Sequence, residues 1–279
     1  MRVALLFVVA VALAAWTGTR GQRRDLAAAT ERLLRSGEGR DAETNAEAPR
    51  LDDLPPPVAR YLRMAIRAAK PIQEVRMRQT GTLRTDTETE RWMAFEAEHL
   101  VVPPATGFLW NARVTVAPLL HVRVRDALID GEGAGQVSVL SALTVSAARG
   151  GLEMNSGSLH RYLAEAVWYP TALLPGERLQ WTAIDASTAL ATLTSNGTSV
   201  SLEFRFAETG EVSGIYTPAR WGTFAGGYEQ VPWEGHFTDY RERDGMLVPT
   251  YGEVGWYVGG EWRVVWKGEV AGYWMRAGR

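Results

Sequence analysis

The feature that most constrains this chain is an alternation of apolar and polar residues, repeated over most of its length. The alternation is clear in segments 75–83, 108–116, 120–125, 137–145, 179–183, 200–206, 254–258 and 262–266. Successive side chains of a strand point to opposite faces, so this period of two is typical of strands with one buried and one wet face. Turn dipeptides lie between the segments: Asp130-Gly131, Asn196-Gly197, Thr209-Gly210, Asp244-Gly245 and Gly259-Gly260. The pattern therefore predicts successive hairpins in an antiparallel meander.

Two helices are predicted around these strands. The first follows Pro55-Pro56-Pro57, because proline fits the first turn of a helix, and it ends before Lys70-Pro71. The second is predicted to begin at Ser158, and Tyr169-Pro170 ends or kinks it. The predicted fold class is mainly β (α+β): a curved antiparallel sheet or open half-barrel, with a leading helix and a central helix packed on its concave face.

The amino-terminal segment is apolar without interruption from Val3 to Trp16. Fourteen helical residues span about 21 Å, which is short of the roughly 30 Å hydrocarbon core of a bilayer. One interpretation is an uncleaved anchor that residues 17–19 extend. The other is a signal peptide with a cleavage site such as Ala12-Leu13-Ala14. Arg20, Arg23 and Arg24 follow directly, and positive charge there favours the anchor.

These features divide the chain into three parts. Residues 1–20 form the anchor or signal segment, residues 21–50 a short helix and a polar linker, and residues 51–279 a single β-rich domain. The membrane is the first predicted partner, and residues 3–19 are predicted to contact it. The predicted location is membrane-associated or exported, in the cell envelope.

Charge and residue content exclude several classes of function. The formal net charge is −2, so no overall positive field favours nucleic acid. The sequence has no cysteine and four scattered histidines, which leaves no metal-ligand spacing and no thiol nucleophile. We therefore predict no nucleic-acid partner, no metal, no cofactor and no catalytic residue, and the sequence favours a role other than catalysis.

Glu165 is the one carboxyl that invites a chemical interpretation. It lies in the predicted central helix among apolar and aromatic residues, where its pKa would rise and general acid or base chemistry becomes available. The alternative is structural, because Arg161 stands four residues earlier and would pair with Glu165 on an exposed helix face. The neighbouring His160 is predicted to be a solvated polar residue.

Tryptophan is abundant, with 11 residues in the chain. The alternation places four of them on the apolar side of their strands: Trp110, Trp181, Trp256 and Trp266. Inward aromatics either line a cavity for an acyl chain or other apolar ligand, or fill the core of the barrel. Tyr162, Glu165 and Trp168 of the central helix complete the candidate ligand-binding set.

Three separated motifs resemble an uncharacterised bacterial family known only as a conserved domain of unknown function. They are LPPPVARYL at 54–62, PPATGFLWNAR at 103–113 and RYLAEAVWYP at 161–170. The resemblance covers about Leu51 to Tyr273 and implies no activity. The layout of helices and hairpins is also similar to the lipoprotein-carrier half-barrel of the bacterial envelope, whose members hold acyl chains in a concave apolar sheet. A likeness of layout implies a fold and does not by itself imply a function.

Three hypotheses for function follow. The first is a membrane-tethered or exported protein that binds a lipid or other hydrophobic small molecule without covalent chemistry. The second is an envelope hydrolase that uses Glu165. The third is a structural or partner-binding envelope module, which a large exposed apolar patch would favour. A cavity larger than a few waters inside the sheet separates the first hypothesis from the third.

Overall fold

The computed structural model describes the backbone of residues 2–39, 51–67, 70–118 and 120–278, and side chains from residue 18 onward within those ranges. Three α-helices lie in these ranges: α1 (Arg2–Gly37), α2 (Pro56–Ala65) and α3 (Leu152–Glu165). Two 3₁₀ segments, Ala166–Trp168 and Pro170–Leu173, continue α3. The strands are β1 (Ile72–Leu83), β2 (Met93–Val102), β3 (Gly107–Ala117), β4 (Leu120–Ile129), β5 (Glu132–Val139), β6 (Leu143–Arg149), β7 (Leu179–Ala183), β8 (Thr188–Ser195), β9 (Thr198–Phe206), β10 (Val212–Phe224), β11 (Gly227–Arg243), β12 (Met246–Val258) and β13 (Glu261–Ala277).

In the described part of the chain the strands form one 13-stranded sheet with antiparallel pairing throughout. Strands β1–β6 run outward to one edge and form the first arm, and β7–β13 return from the other edge and form the second arm. The arms join where β13 pairs with β1, from Ile72 opposite Ala277 to Leu83 opposite Trp266. This order confirms the predicted antiparallel half-barrel.

The predicted turns are also present. Asp130, Asn196 and Asp244 have positive φ, and a glycine with positive φ follows each of them. Two-residue hairpins in type I′ turns need this conformation at both central positions, which asparagine, aspartate and glycine adopt at low cost. The local turn residues therefore set the register of the hairpins.

Helical residues fill the concave face of the sheet, as predicted. The apolar stripe of α2, with Val58, Tyr61 and Leu62, is fully buried in the main core. Leu163 of α3 and Trp168 of the first 3₁₀ segment enter the same core. Both helices therefore pack against the inner face of the sheet, which has to bury its apolar side.

Helix α1 packs on the convex face of the first arm. Leu33 is fully buried in a second cluster with Leu100 and Leu109, and Leu26 packs at its margin. Gly107 makes this approach possible, because a Cβ there would lie 2.7 Å from Leu33 Cδ1. The predicted short helix after residue 21 is therefore part of a longer one that covers the outside of β2–β4.

The predicted anchor or signal segment at residues 3–19 falls almost wholly outside the residues whose side chains are described. Among the described residues, no helix combines the length and apolarity that a membrane span requires. Residues 40–50, which make up most of the predicted linker, also lie outside the described ranges.

Two predicted helix boundaries were wrong. Helix α3 begins at Leu152, one turn and a half before Ser158, with Gly151 at its N-cap in a positive-φ conformation. Its first residues include Asn155 and Gly157, whose weak helix propensity hid the start, and packing against both arms overrides that propensity. Helix α2 ends at Ala65, before the predicted stop at Lys70-Pro71.

Candidate functional site

A cavity of about 210 Å³ lies between α3 and the two arms. This volume exceeds that of a few waters, each of which occupies about 30 Å³ in the liquid. Apolar atoms line much of it, from Phe108, Met154 and Trp256. The remaining lining residues are Asp126, Ala134, Gly135, Glu153, Gly157, Ser158, Arg161, Arg220, Trp221, Gly222, Thr223 and Tyr228. Helical residues thus fill much of the concave side of the half-barrel, and this space lies beside α3.

Glycines hold α3 between the arms. A Cβ at Gly133 of β5 would lie 2.5 Å from the Met154 carbonyl oxygen, and one at Gly157 of α3 would lie 2.9 Å from the Trp221 carbonyl oxygen. Side chains at these positions would push the helix off both strands. A Cβ at Gly135 would meet only Asp126 Oδ1 at 3.6 Å and Met154 Cε at 3.8 Å, which are ordinary contacts. The missing side chain at Gly135 therefore contributes to the open space.

A β-bulge positions Arg220. The register of β10 with β11 shifts between Thr217 and Arg220, on either side of Pro218, so β10 carries one extra residue there. Such a bulge bends the strand and re-aims the side chain that follows. The Arg220 guanidinium lies over the Trp233 ring at 4.4 Å and the Trp256 ring at 5.0 Å, and Nη2 donates to the Gly157 carbonyl oxygen at 3.0 Å.

Arg220 is a half-buried cation without an ion pair in the part of the chain that the structure describes. Its Nε is buried and has no hydrogen-bond partner among the described residues. Burial and then the charge of Arg161 lower the pKa of Arg220 to about 10, so the group remains protonated at neutral pH. The cavity wall therefore carries a positive charge that no carboxylate contacts.

Arg161, by contrast, contacts two carboxylates. Nη1 donates to Asp126 Oδ2 at 2.7 Å and Nε donates to Glu165 Oε1 at 2.8 Å. The guanidinium also lies over the Phe108 and Trp110 rings. Burial opposes the charged form, but the two carboxylates outweigh it and raise the pKa of Arg161. The pairing with Glu165 is the predicted one, but it lies inside the half-barrel and not on an exposed helix face, because α3 is enclosed by both arms.

Glu165 sits beside a buried histidine. Burial raises the pKa of the Glu165 carboxyl, and Arg161 only partly offsets this rise. Its Oε2 lies 3.4 Å from Nε2 of His99. Burial and then Arg161 lower the pKa of His99 well below its usual value, so this histidine is neutral at pH 7. Glu165 does not belong to the cavity wall, to which α3 contributes Glu153, Met154, Gly157, Ser158 and Arg161.

The prediction that His160 is solvated was wrong. Its exposed fraction is 5%. Its Nδ1 lies 3.1 Å from the Ser156 carbonyl oxygen, and it also bonds to the Ser201 backbone. The face of α3 that carries His160 packs against β9, which the local sequence does not reveal. Burial and then Arg220 lower the pKa of His160 to about 4.

We expect this histidine to make the fold acid-sensitive. The folded-state pKa of about 4 is below the usual 6.5, so the unfolded chain binds the proton first and stability falls as pH drops from 6.5 towards 4. Between pH 7 and pH 5 the expected loss from His160 is about 2 kcal/mol of unfolding free energy. Urea denaturation of the His160→Gln variant should show a smaller loss over this range. A His160→Gln variant that loses as much stability over this range as the unmodified protein would contradict the assignment.

The structure places all seven predicted ligand-binding residues on the concave side. Trp110, Tyr162 and Trp168 are buried, whereas Trp181, Trp256 and Trp266 are half-buried at the margin of the main core. Several of the rings contact one another through Phe95, which lies 5.8 Å from Trp110 and 5.7 Å from Trp266. Of the seven residues, Trp256 alone lines the cavity. Trp110, Trp181 and Trp266 belong to the main core or pack against it, as the alternative interpretation of the inward tryptophans expects.

Sequence reasoning missed the charged residues of the wall. Neither Asp126 nor Arg220 is among the predicted site residues. Asp126 meets Arg161 from a strand 35 residues away, a distance over which local pattern carries no signal. Pro218 inside an apolar strand did offer a signal for the bulge that presents Arg220, because proline in a strand marks an irregularity.

A larger groove of about 630 Å³ lies outside the sheet, between α1 and the convex face of the first arm. Its walls are mostly charged: Arg23, Arg78, Arg113, Arg123 and Arg125, with Glu96 and Glu98. Arg125 Nη2 donates to the Gln22 carbonyl oxygen at 3.1 Å and so ties helix to sheet. None of the seven predicted ligand-binding residues lines this groove.

Comparison with known proteins gives a family but no activity. A family model described as "Family of unknown function (DUF6544)" matches residues 44–268. No curated protein matches the chain.

Several solved structures are similar at low identity. One is a LolA superfamily protein from Nitrosomonas europaea, with 9% identity, a TM-score of 0.41, and coverage of 80% of this chain and 93% of that chain. A putative outer membrane lipoprotein-sorting protein domain from Vibrio parahaemolyticus has 7% identity, a TM-score of 0.39, and coverage of 74% and 86%. A DUF1329 family protein from Desulfovibrio piger has 9% identity, a TM-score of 0.41, and coverage of 80% and 93%.

Proposed function

Because the chain belongs to the family of unknown function DUF6544, which brings no activity with it, we propose a function from the site alone. The protein binds a hydrophobic ligand in the cavity between α3 and the two arms, without covalent chemistry. The observation that carries this proposal is the 210 Å³ cleft between α3 and the two arms, whose lining includes Phe108, Met154 and Trp256.

The shape and lining of the cavity support a small or narrow ligand. Ligand pockets are usually about 300–1,000 Å³, apolar, and equipped with a few polar groups that fix orientation. The volume here is below that range, so the cavity fits a short acyl segment or a small aromatic compound better than a whole lipid. The half-buried guanidinium groups of Arg161 and Arg220 in the wall would orient such a ligand.

The proposal includes a place at the bacterial envelope. The apolar segment at residues 3–16 and the arginines that follow it support either a membrane anchor or an export signal. The β-rich domain from residue 51 onward would then present its cavity next to, or beyond, the membrane. Hydrophobic ligands are most available there, which suits a binding protein.

The hydrolase hypothesis has less support from the site. Glu165 lies outside the cavity wall, and its two oxygens face Arg161 and His99 rather than open space. A general acid or base needs to reach its substrate within hydrogen-bond distance. The partner-binding hypothesis draws on exposed apolar residues near the β5–β6 turn, Leu140, Leu143 and Val145.

A cavity-filling variant tests the proposal. Gly135→Leu should place its side chain in the open space with little strain, since a Cβ there makes only ordinary contacts. We expect the full-length protein to bind the neutral fluorophore N-phenyl-1-naphthylamine, and Gly135→Leu to weaken binding by about tenfold or more, from loss of the apolar contact area. Fluorescence titration measures both.

The matched control is Gly272→Leu on β13, where a Cβ would lie 3.5 Å from Arg78 Cβ, beside an exposed side chain. This variant should bind the fluorophore like the unmodified protein. Native mass spectrometry with lipid extraction, on protein purified gently from its host, gives a second readout. A stoichiometric lipid that Gly135→Leu loses would support the proposal. A measured mass equal to that of the protein alone, also after lipid is added, together with no fluorophore binding, would contradict the proposal.

A further inference from the structure

We infer that the ligand of this cavity is an amphiphile whose single anionic group, a carboxylate or phosphate, binds Arg220. This inference rests on the proposed function and adds the chemical class of the ligand. It starts from the unequal partners of the two arginines in the wall. Arg161 already contacts Asp126 and Glu165, whereas Arg220 contacts one backbone carbonyl and two aromatic rings.

An unpaired cation is costly inside a protein. Withdrawing a guanidinium from water is unfavourable unless an opposite charge and hydrogen bonds compensate it, and Arg220 is half-buried. Cation–π attraction to the Trp233 and Trp256 rings offsets part of this cost. The buried Nε has no partner among the described residues and is closed off from the cavity, so an anion in the cavity would accept from the rest of the guanidinium. Such an anion would supply the missing charge.

The surroundings of Arg220 select an amphiphile over a free anion. Arg220 lines the same cavity as Phe108, Met154 and Trp256, so a head group bound at the guanidinium leaves an apolar space for a tail. Guanidinium groups bind carboxylates and phosphates with two parallel hydrogen bonds. The carboxylates of the wall do not compete, because Asp126 is paired with Arg161 and Glu153 makes no ion pair with Arg220.

The position of Gly222 shows that the part of the wall that would bind the ligand's head group lies next to the part that would contact its tail. It lies two residues after Arg220, and a Cβ there would come within 2.8 Å of Trp256. The same Trp256 ring that stacks under the Arg220 guanidinium therefore also forms the cavity wall. A ligand that touches the ring edge has its polar end within reach of the guanidinium.

The test compares two compounds with the same tail, octanoate and octan-1-ol, in displacing N-phenyl-1-naphthylamine from the full-length protein. We expect octanoate to bind at least about tenfold more tightly than octan-1-ol, the effect of one charge-assisted hydrogen-bonded contact. Arg220→Met should remove that preference, so that octanoate and octan-1-ol displace the fluorophore about equally. Arg220→Lys keeps the charge but not the planar guanidinium, so it should keep part of the preference for octanoate. This variant is the test if Arg220→Met does not fold. Arg205→Met, which removes a half-exposed arginine over the Tyr216 ring, is the matched control.

The outcomes separate the inference from the proposed function. Equal displacement by octanoate and octan-1-ol, or an octanoate preference that survives in Arg220→Met, would overturn the inference and leave the binding function intact. Acetate that binds as tightly as octanoate, measured by calorimetry, would overturn the amphiphile in favour of a free anion. Failure of the fluorophore itself to bind would remove the proposed function.

Discussion

Replacing Arg161 by methionine is expected to lower the free energy of unfolding by about 3–5 kcal/mol, the usual cost of leaving a buried charge without its partner. The main reason is that the variant leaves the Glu165 carboxylate, which is 14% exposed, without its cation, whereas Asp126 is 37% exposed and adds less. Asp126 and Glu165 accept from Arg161 at 2.7 and 2.8 Å, and the guanidinium also covers the Phe108 and Trp110 rings. Urea denaturation at pH 7, monitored by tryptophan fluorescence, measures the loss.

Two controls distinguish stranded charge from lost packing. Arg149→Met breaks an exposed pair with Glu132 and should cost less than about 1 kcal/mol, as surface ion pairs do. Combining Arg161→Met with Asp126→Asn and Glu165→Gln removes the stranded charges, and this triple variant should recover much of the loss. A triple variant no more stable than Arg161→Met would show that the guanidinium acts through packing alone.

Replacing Trp168 by alanine is expected to cost about 3–5 kcal/mol as well, from lost apolar burial and the cavity left behind. Trp168 is fully buried between helix and sheet, and its ring contacts Phe237 and Trp266 edge-on. Its Nε1 donates to the Pro249 carbonyl oxygen at 3.1 Å, and its own carbonyl accepts from the Tyr273 hydroxyl. Thermal and urea unfolding should both show the loss.

The matched control is Trp274→Ala, a tryptophan 48% exposed on β13. Its substitution should change stability by no more than about 0.5 kcal/mol. The comparison also tests whether Trp168 is a core residue or a ligand residue. A Trp168→Ala protein of normal stability that has lost fluorophore binding would return Trp168 to the ligand-binding set.

Much of the fold could be predicted because its determinants are local. The alternation around Trp110 and the Asn196-Gly197 turn each fix the direction of nearby side chains within a few residues. The curled sheet follows from hairpins that pair in sequence order. The position of α3 was harder to predict, because its enclosure depends on glycines such as Gly133 and Gly157 in strand and helix, whose role appears only when the two arms come together.

The site was predictable only in part for the same reason. Trp256 was correctly placed on the concave side, and Glu165 was correctly placed next to Arg161. His160 was assigned to solvent because a histidine in a helix gives no sign of the strand packed against it. Arg220 depends on a bulge and on two tryptophans from other strands, and no window of the sequence contains all three.

The seam between the first and last strands has a consequence for how the molecule is made. Each arm grows from neighbouring hairpins, so it can form while the chain emerges from the ribosome. The β1–β13 pairing cannot, because β13 is synthesised last. The wall of the cavity draws on strands from both arms, so the cavity is complete only when β13 has joined the arms at the seam. A chain that ends before β13 would therefore leave the inner apolar surface exposed.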